Sequence, residues 1–323
     1  MLNRNEKCVI NTDLDGFLCG LLLHHFLDWE IVGFCNSRDT MWLDQSKVSS
    51  LKEVVFVDMY VAHKDLRCVD QHIVSCNEKH SELLKKNPNK TNPNIERGRS
   101  FSNGTYYTKF PFGTFHYLVS ALERQGVPVK KQTCLKKKLK QNSKIKTNYT
   151  IRTVDLMLRA DDTLNTTVKA YPQNASDWWG WLGDGELTET FVKYCSAIKE
   201  GEIPYHIVGM KRAIADHCKK NYGCDTEDGG YRSARSFGEE QIKRGVVKYL
   251  RDLSELCGWK MFPLASSYTL YIGDRSVVDF KTEDFENFIE NSVYRGEIVF
   301  SYAFISSFGG ESSFSFTGNM RKC

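Results

Sequence analysis

The sequence predicts an α/β protein. It would have an N-terminal domain with a doubly wound, mostly parallel sheet, then linker helices, then a smaller C-terminal α/β domain. Three observations carry that expectation. Short apolar strands alternate with helical patterns along the first part of the chain. The stretch "LKEVVFVDMYV" is apolar at consecutive positions, as a strand covered on both faces of a parallel sheet must be. The last part of the chain changes to β-rich segments around one helix.

"KCVINTDLDG" reads as a strand and a tight turn, and "FLCGLLLHHFLDW" as the helix after it. "EIVGFCN", "LKEVVFVDMYV" and "LRCVDQHIVS" read as the next three strands. Residues 77–110 are polar and rich in Asn, Lys and Gly, and read as a long loop. "FPFGTFHYLVSALERQG" reads as a helix ending at Gly126. Nine Lys and Arg follow between residues 129 and 152. "SDWWGWL" is an aromatic cluster, and "GEEQIKRGVVKYLRDLSELCG" is the clearest helix of a helical stretch. "KMFPLASSYTLYIGD", "EIVFSYAFISS" and "SSFSFTGN" read as strands, with a helix at "TEDFENFIENSV". The expected boundaries are 1–190 for the sheet domain, 191–258 for the helical linker and 259–323 for the small domain.

Bulk properties narrow the function classes. The chain has 323 residues, enough for two ordinary cores, and 19 Phe with 15 Tyr to fill them. A net charge of +4 makes the molecule no polycation, so affinity for nucleic acid would have to come from a local patch. The 11 cysteines are an odd number without a repeated C-x-x-C, which reads as free thiols in a reducing cytosol. No N-terminal apolar core of a signal peptide is present, and no apolar run approaches the ~20 residues of a membrane span. A cytoplasmic protein without membrane contact is expected, as a monomer or a homodimer.

Chemistry concentrates at strand ends. Asp13 and Asp15 follow the first strand as D-x-D, Asp58 ends a buried strand, and Asp70 with His72 follows another. In α/β sheets ligands sit beyond the carboxyl ends of the strands, so these side chains can converge on one crevice. Carboxylate oxygens suit hard divalent cations, and paired ions need a bridging carboxylate, for which Asp58 is the candidate. Helix capping is the alternative for any one of them, Asp15 above all.

The set resembles the DHH phosphoesterase superfamily, which includes RecJ-type exonucleases, nanoRNases, cyclic-dinucleotide phosphodiesterases and family II pyrophosphatases. "NTDLDG" is similar to its first motif H-x-D-x-D-G, "VFVDMY" to its second, "VDQHIVS" to its D-H-H motif, and "RADDTLN" to the isolated Asp of its fourth. The resemblance covers about residues 7–190. It implies a sheet domain and a smaller domain flanking a site with two Mn²⁺ or Mg²⁺ ions. Asp13 would hold the first ion, Asp15 the second, and Asp58 would bridge them. His72 would contact the phosphate, Asp70 would support it, and Asp161 or Asp162 would join the second ion, with Asp155 competing for that position.

Three departures from the family pattern matter. Asn11 stands where the first motif has His, and Gln71 where D-H-H has its first His. Both amides can ligate a hard cation, more weakly than imidazole binds Mn²⁺. The glycine-rich segment with a His that closes many relatives is matched only by "FGGESSFSFTGNM". Lys137 in the lysine run and Arg232 and Arg235 in "GGYRSARSF" are candidates for binding a phosphate backbone. The expected function is a metal-dependent phosphodiesterase acting on a nucleotide substrate: single-stranded nucleic acid, a short oligonucleotide or a cyclic oligonucleotide. The alternative is a catalytically inactive relative serving as a nucleic-acid-binding or scaffold subunit.

Overall fold

A computed structural model describes residues 2–36, 39–101, 108–127, 129, 171–182, 220, 240–279, 286–294, 296–306 and 312–323. Its described part is α/β around one mixed sheet of ten strands. Among the described residues no helix is long and apolar enough to cross a membrane.

Contacts divide the chain into two units, and every described strand belongs to the second: residues 6–11, 30–110 and 265–323. The strands are β1 (Lys7–Asn11), β2 (Glu30–Cys35), β3 (Thr40–Leu43), β4 (Val54–Val57), β5 (Arg67–Val69), β6 (Lys90–Thr91), β7 (Thr269–Asp279), β8 (Val293–Tyr294), β9 (Glu297–Ser306) and β10 (Ser312–Lys322). Their order is β6-β5-β4-β1-β2-β3-β7-β10-β9-β8. β1 pairs in parallel with both β2 and β4, and the parallel run continues through β5 to β6. From β3 onward the pairing is antiparallel.

This arrangement fixes two things. From β1 the chain moves outward on one side, to β2 and β3, then returns to place β4 on the other side. The C-terminal ends of β1 and β4 therefore flank a topological switch point, where open α/β sheets form their crevice. The segment 259–323 lends its described strands to the same sheet. β7 pairs with β3, Leu43 opposite Thr269. Residues 77–110, expected as a loop, contain α2 (Glu78–Lys85), β6 and the short α3 (Pro93–Glu96). Asn77 and Asn92 cap the two helices: their side chains accept from the backbone N–H of His80 and Asn94.

The core of this unit lies on Val9, Val32, Phe56 and Val74, all fully buried. An aromatic cluster of Phe288, Tyr294, Tyr302 and Phe314 extends it. Ring centroids of Phe288 and Tyr302 are 4.7 Å apart at 78°, an edge-to-face contact. Phe288 lies on α7 (Glu286–Asn291, in the numbering that counts the helices of the other unit below).

Buried His80 on α2 gives this unit a pH dependence. Its Nδ1 accepts from the backbone N–H of Cys76 at 3.3 Å and lies 3.2 Å from the Cys76 sulfur. Burial pushes the imidazole down to about 4 from 6.5, and the Cys76 thiol up to about 12. Between pH 6.5 and about 4 the unfolded chain binds the His80 proton and the folded chain does not. Stability from this group is fully present above pH 6.5 and falls by about 3 kcal/mol as the pH drops through that window. Urea midpoints measured at about pH 7 and about pH 5 should show the loss, and His80→Gln should flatten it.

The first unit comprises residues 1–5, 12–29 and 111–264. Its described helices are α1 (Leu14–Leu27), α4 (Thr114–Arg124), α5 (Tyr171–Leu182) and α6 (Glu240–Cys257). α1 is buried almost all round. Phe17 of α1 meets Tyr249 of α6 edge to face at 5.2 Å. The expected helix ending at Gly126 is α4, and Gly126 follows it at φ +80°, the left-handed position where glycine carries no Cβ penalty. The aromatic cluster of "SDWWGWL" lies in α5, where Trp178 is fully buried and Trp181 stacks on Tyr117.

Candidate metal centre

Three neighbouring parallel strands deliver the site, all within the sheet unit. Asn11 is the last residue of β1, Asp58 follows β4, and Asp70 follows β5. The ladder continues one step past each of the latter two strands: Asp58 N–H donates to Val69 O at 2.9 Å, and Asp70 N–H donates to Thr91 O at 3.0 Å. Both carboxylates are therefore fixed by sheet hydrogen bonds rather than by a free loop.

Asp58 has φ +60°, a left-handed conformation uncommon outside glycine but several-fold enriched in Asp and Asn. The turn redirects the chain sharply at the strand end. Its carboxylate is buried at 1% exposure and accepts from the Asn11 amide at 3.1 Å. Asp70 is fully buried. One of its oxygens lies 2.7 Å from His72 Nδ1, and the other accepts from His72 N–H at 3.0 Å and from the Asn92 amide at 3.3 Å. When His72 is neutral, the contact with Asp70 holds the proton on Nδ1 and leaves Nε2 as the basic nitrogen. Metal-binding histidines use the same carboxylate–imidazole pairing. The His72 side chain is 46% exposed, so the group opens to solvent on that side.

Ligand atoms of Asp58, Asp70 and His72 all lie within 4.8 Å of one another. Two carboxylates taken out of water at this separation repel, and a divalent cation is the ordinary remedy. Two carboxylates and one imidazole at this spacing are a set that could hold a metal ion.

Asn92 and Asn94 hold the loop in place, and the sequence reading missed both. Asn92 donates to His72 O at 2.8 Å as well as to Asp70. Asn94 donates to Gln71 O at 2.7 Å and accepts from Phe110 N–H at 2.7 Å. The signal was present in "TNPNIE", where Asn precedes Pro at the first helical position. Lys90 is a second miss. It is buried, and its ammonium donates to the carbonyls of Val61 (2.6 Å), His63 (2.8 Å) and Leu66 (2.8 Å), with the Tyr60 ring 5.5 Å away. Desolvation lowers its pKa. The C-terminal strands tie down the same loops: Ala62 N–H donates to Phe300 O at 2.7 Å and Tyr302 Oη to Val74 O at 2.7 Å.

The other expected residues have their own surroundings. Asp13 and Asp15 belong to the first unit, where both are engaged at helix N-termini. Asp13 is the N-cap of α1 and accepts from Gly16 N–H at 3.0 Å. Asp15 accepts from Thr114 N–H at 2.8 Å and from Phe115 N–H at 2.9 Å, with one oxygen on each, and so caps α4. Gly113 allows this approach, because a Cβ there would sit 2.5 Å from an Asp15 oxygen. Asp15→Asn should therefore lower the urea midpoint by the equivalent of about 1 kcal/mol without changing Mn²⁺ affinity. A loss of metal affinity in a calorimetric titration would return Asp15 to the ligand set. Gln71 lies between Asp70 and His72. Lys137, Asp155, Asp161, Asp162, Arg232 and Arg235 lie outside the described residues.

No family model matches this chain, and neither does any curated protein or solved structure.

Proposed function

We propose that the chain is a metal-dependent phosphodiesterase of the DHH type, with a doubly wound sheet, acting on a nucleotide substrate. The observation that carries this reading is the convergence of buried Asp58 and Asp70 with His72 at the C-terminal ends of adjacent parallel strands. Asp58, Asp70 and His72 would hold the ion, Asp70 partly through the imidazole it orients. A divalent ion in that position supplies Lewis-acid polarisation of a phosphoryl oxygen and a nucleophilic hydroxide near neutral pH. Asp58 contributes charge from a backbone locked by its ladder bond. Asn11 orients that carboxylate from the first-motif position. The resemblance implies a second ion at Asp13 and Asp15, which also cap helices; the proposal is confined to the ion that Asp58, Asp70 and His72 would hold.

The test is a panel of linear oligonucleotides of several lengths, cyclic dinucleotides and pyrophosphate, incubated with Mn²⁺ and read by product mass. Hydrolysis of a phosphodiester, lowered about 10³-fold or more by Asp58→Asn, is the expected result. An inert wild type across the panel contradicts it.

One observation favours a second reading, an inactive nucleic-acid-binding or scaffold subunit. The Asn11 amide donates to Asp58 and partly satisfies the carboxylate without any ion. Lack of affinity for both Mn²⁺ and Mg²⁺ would select it.

A further inference from the structure

A pocket of about 70 Å³ adjoins the metal group without including its carboxylates. His72, Met59 and Tyr60 line it from the loops after β4 and β5, and Ser301, Ser315 and Thr317 from β9 and β10. Ser301 and Thr317 are cross-strand partners, so their side chains leave the sheet on one face. Ser301 is only 6% exposed. Because it lines the cavity, a ligand there can meet its hydroxyl. Ser315 Oγ accepts from Arg275 Nε at 3.2 Å, and Arg275 is the cross-strand partner of Thr317 on β7. A guanidinium therefore stands beside a wall of hydroxyl donors.

We propose that this pocket is an oxyanion seat that takes a terminal phosphoryl group of the substrate. Its size admits a few waters, the class of a tetrahedral oxyanion rather than a nucleobase. Its donors match: hydroxyls from Ser301 and Thr317, with Arg275 supplying positive charge. No carboxylate is among its lining residues to repel an anion. The identity of the bound group as part of a nucleotide substrate rests on the phosphodiesterase reading, whereas oxyanion binding does not. A phosphomonoester end seated here would place the adjacent linkage near His72, so the site would favour substrates with a phosphorylated terminus.

The test is calorimetric titration of inorganic phosphate into the full chain with saturating Mg²⁺, for wild type, Ser301→Ala, Ser315→Ala and Arg275→Gln. Wild type should bind phosphate, and Ser301→Ala and Arg275→Gln should each weaken binding about tenfold. Ser315→Ala, at a half-buried sheet position, reports the same loss if Ser301→Ala does not fold. Absence of phosphate binding, or equal affinity in wild type and the folded variants, overturns the proposal. Variant-sensitive phosphate binding without any phosphodiester hydrolysis leaves the seat standing and removes the catalytic reading. Hydrolysis with the same KM for phosphorylated and unphosphorylated ends, in wild type and Ser301→Ala alike, removes the seat and leaves catalysis standing.

Discussion

Asp58→Asn is expected to raise the thermal midpoint of the metal-free chain while abolishing its response to Mn²⁺. Asp58 and Asp70 are buried with ligand atoms within 4.8 Å of each other. At an effective dielectric near 20, two charges at that range repel by roughly 3 kcal/mol. Asparagine removes one charge and keeps the shape. It also tolerates the left-handed backbone that Asp58 adopts at φ +60°. The gain should be several degrees for a chain of this size. Asp58→Ala removes the same charge but puts an ordinary Cβ residue into the left-handed region, at a cost of about 1 kcal/mol or more, so its midpoint should lie below that of the asparagine variant. Wild type should gain about 2.7 kcal/mol at a metal concentration one hundred times Kd, and neither variant should gain any. A midpoint that falls in Asp58→Asn would mean that the carboxylate is better satisfied by its protein partners than by a cation.

Lys90→Met should give the largest loss of stability. The methionine keeps most of the aliphatic stem but leaves three carbonyls, of Val61, His63 and Leu66, without their shared donor. Leaving such buried acceptors unsatisfied costs about 3–5 kcal/mol in total. These carbonyls belong to the loop that starts at Asp58, so weaker Mn²⁺ binding should accompany the loss. Urea denaturation and a metal titration on the same variant check both. An unchanged urea midpoint would show that water replaces the ammonium at no cost.

Part of this was legible in the sequence, for definite reasons. Asp58, Asp70 and His72 were visible because each follows a short apolar run, and strand ends in a parallel sheet point to one edge. The capping bonds of Asp13 and Asp15 were not. D-x-D after a strand reads the same whether the acids bind an ion or cap a helix, and the partners that decide the matter for Asp15 are Thr114 and Phe115, about a hundred residues away. The C-terminal strands were recognised as strands from their apolar and aromatic content. Alternation gives a strand's faces, however, and not its neighbour, so the pairing of β7 with β3 across more than two hundred residues left no local trace. Lys90 in "NKTNPN" looks like a surface lysine, because nothing local signals three carbonyls converging from another loop.

The most direct test of the central claim is a calorimetric titration of Mn²⁺ into the full wild-type chain and into Asp58→Asn. The metal-centre account predicts saturable binding by wild type, weakened at least about a hundredfold in the variant. No binding by wild type, or equal binding by both proteins, would contradict it.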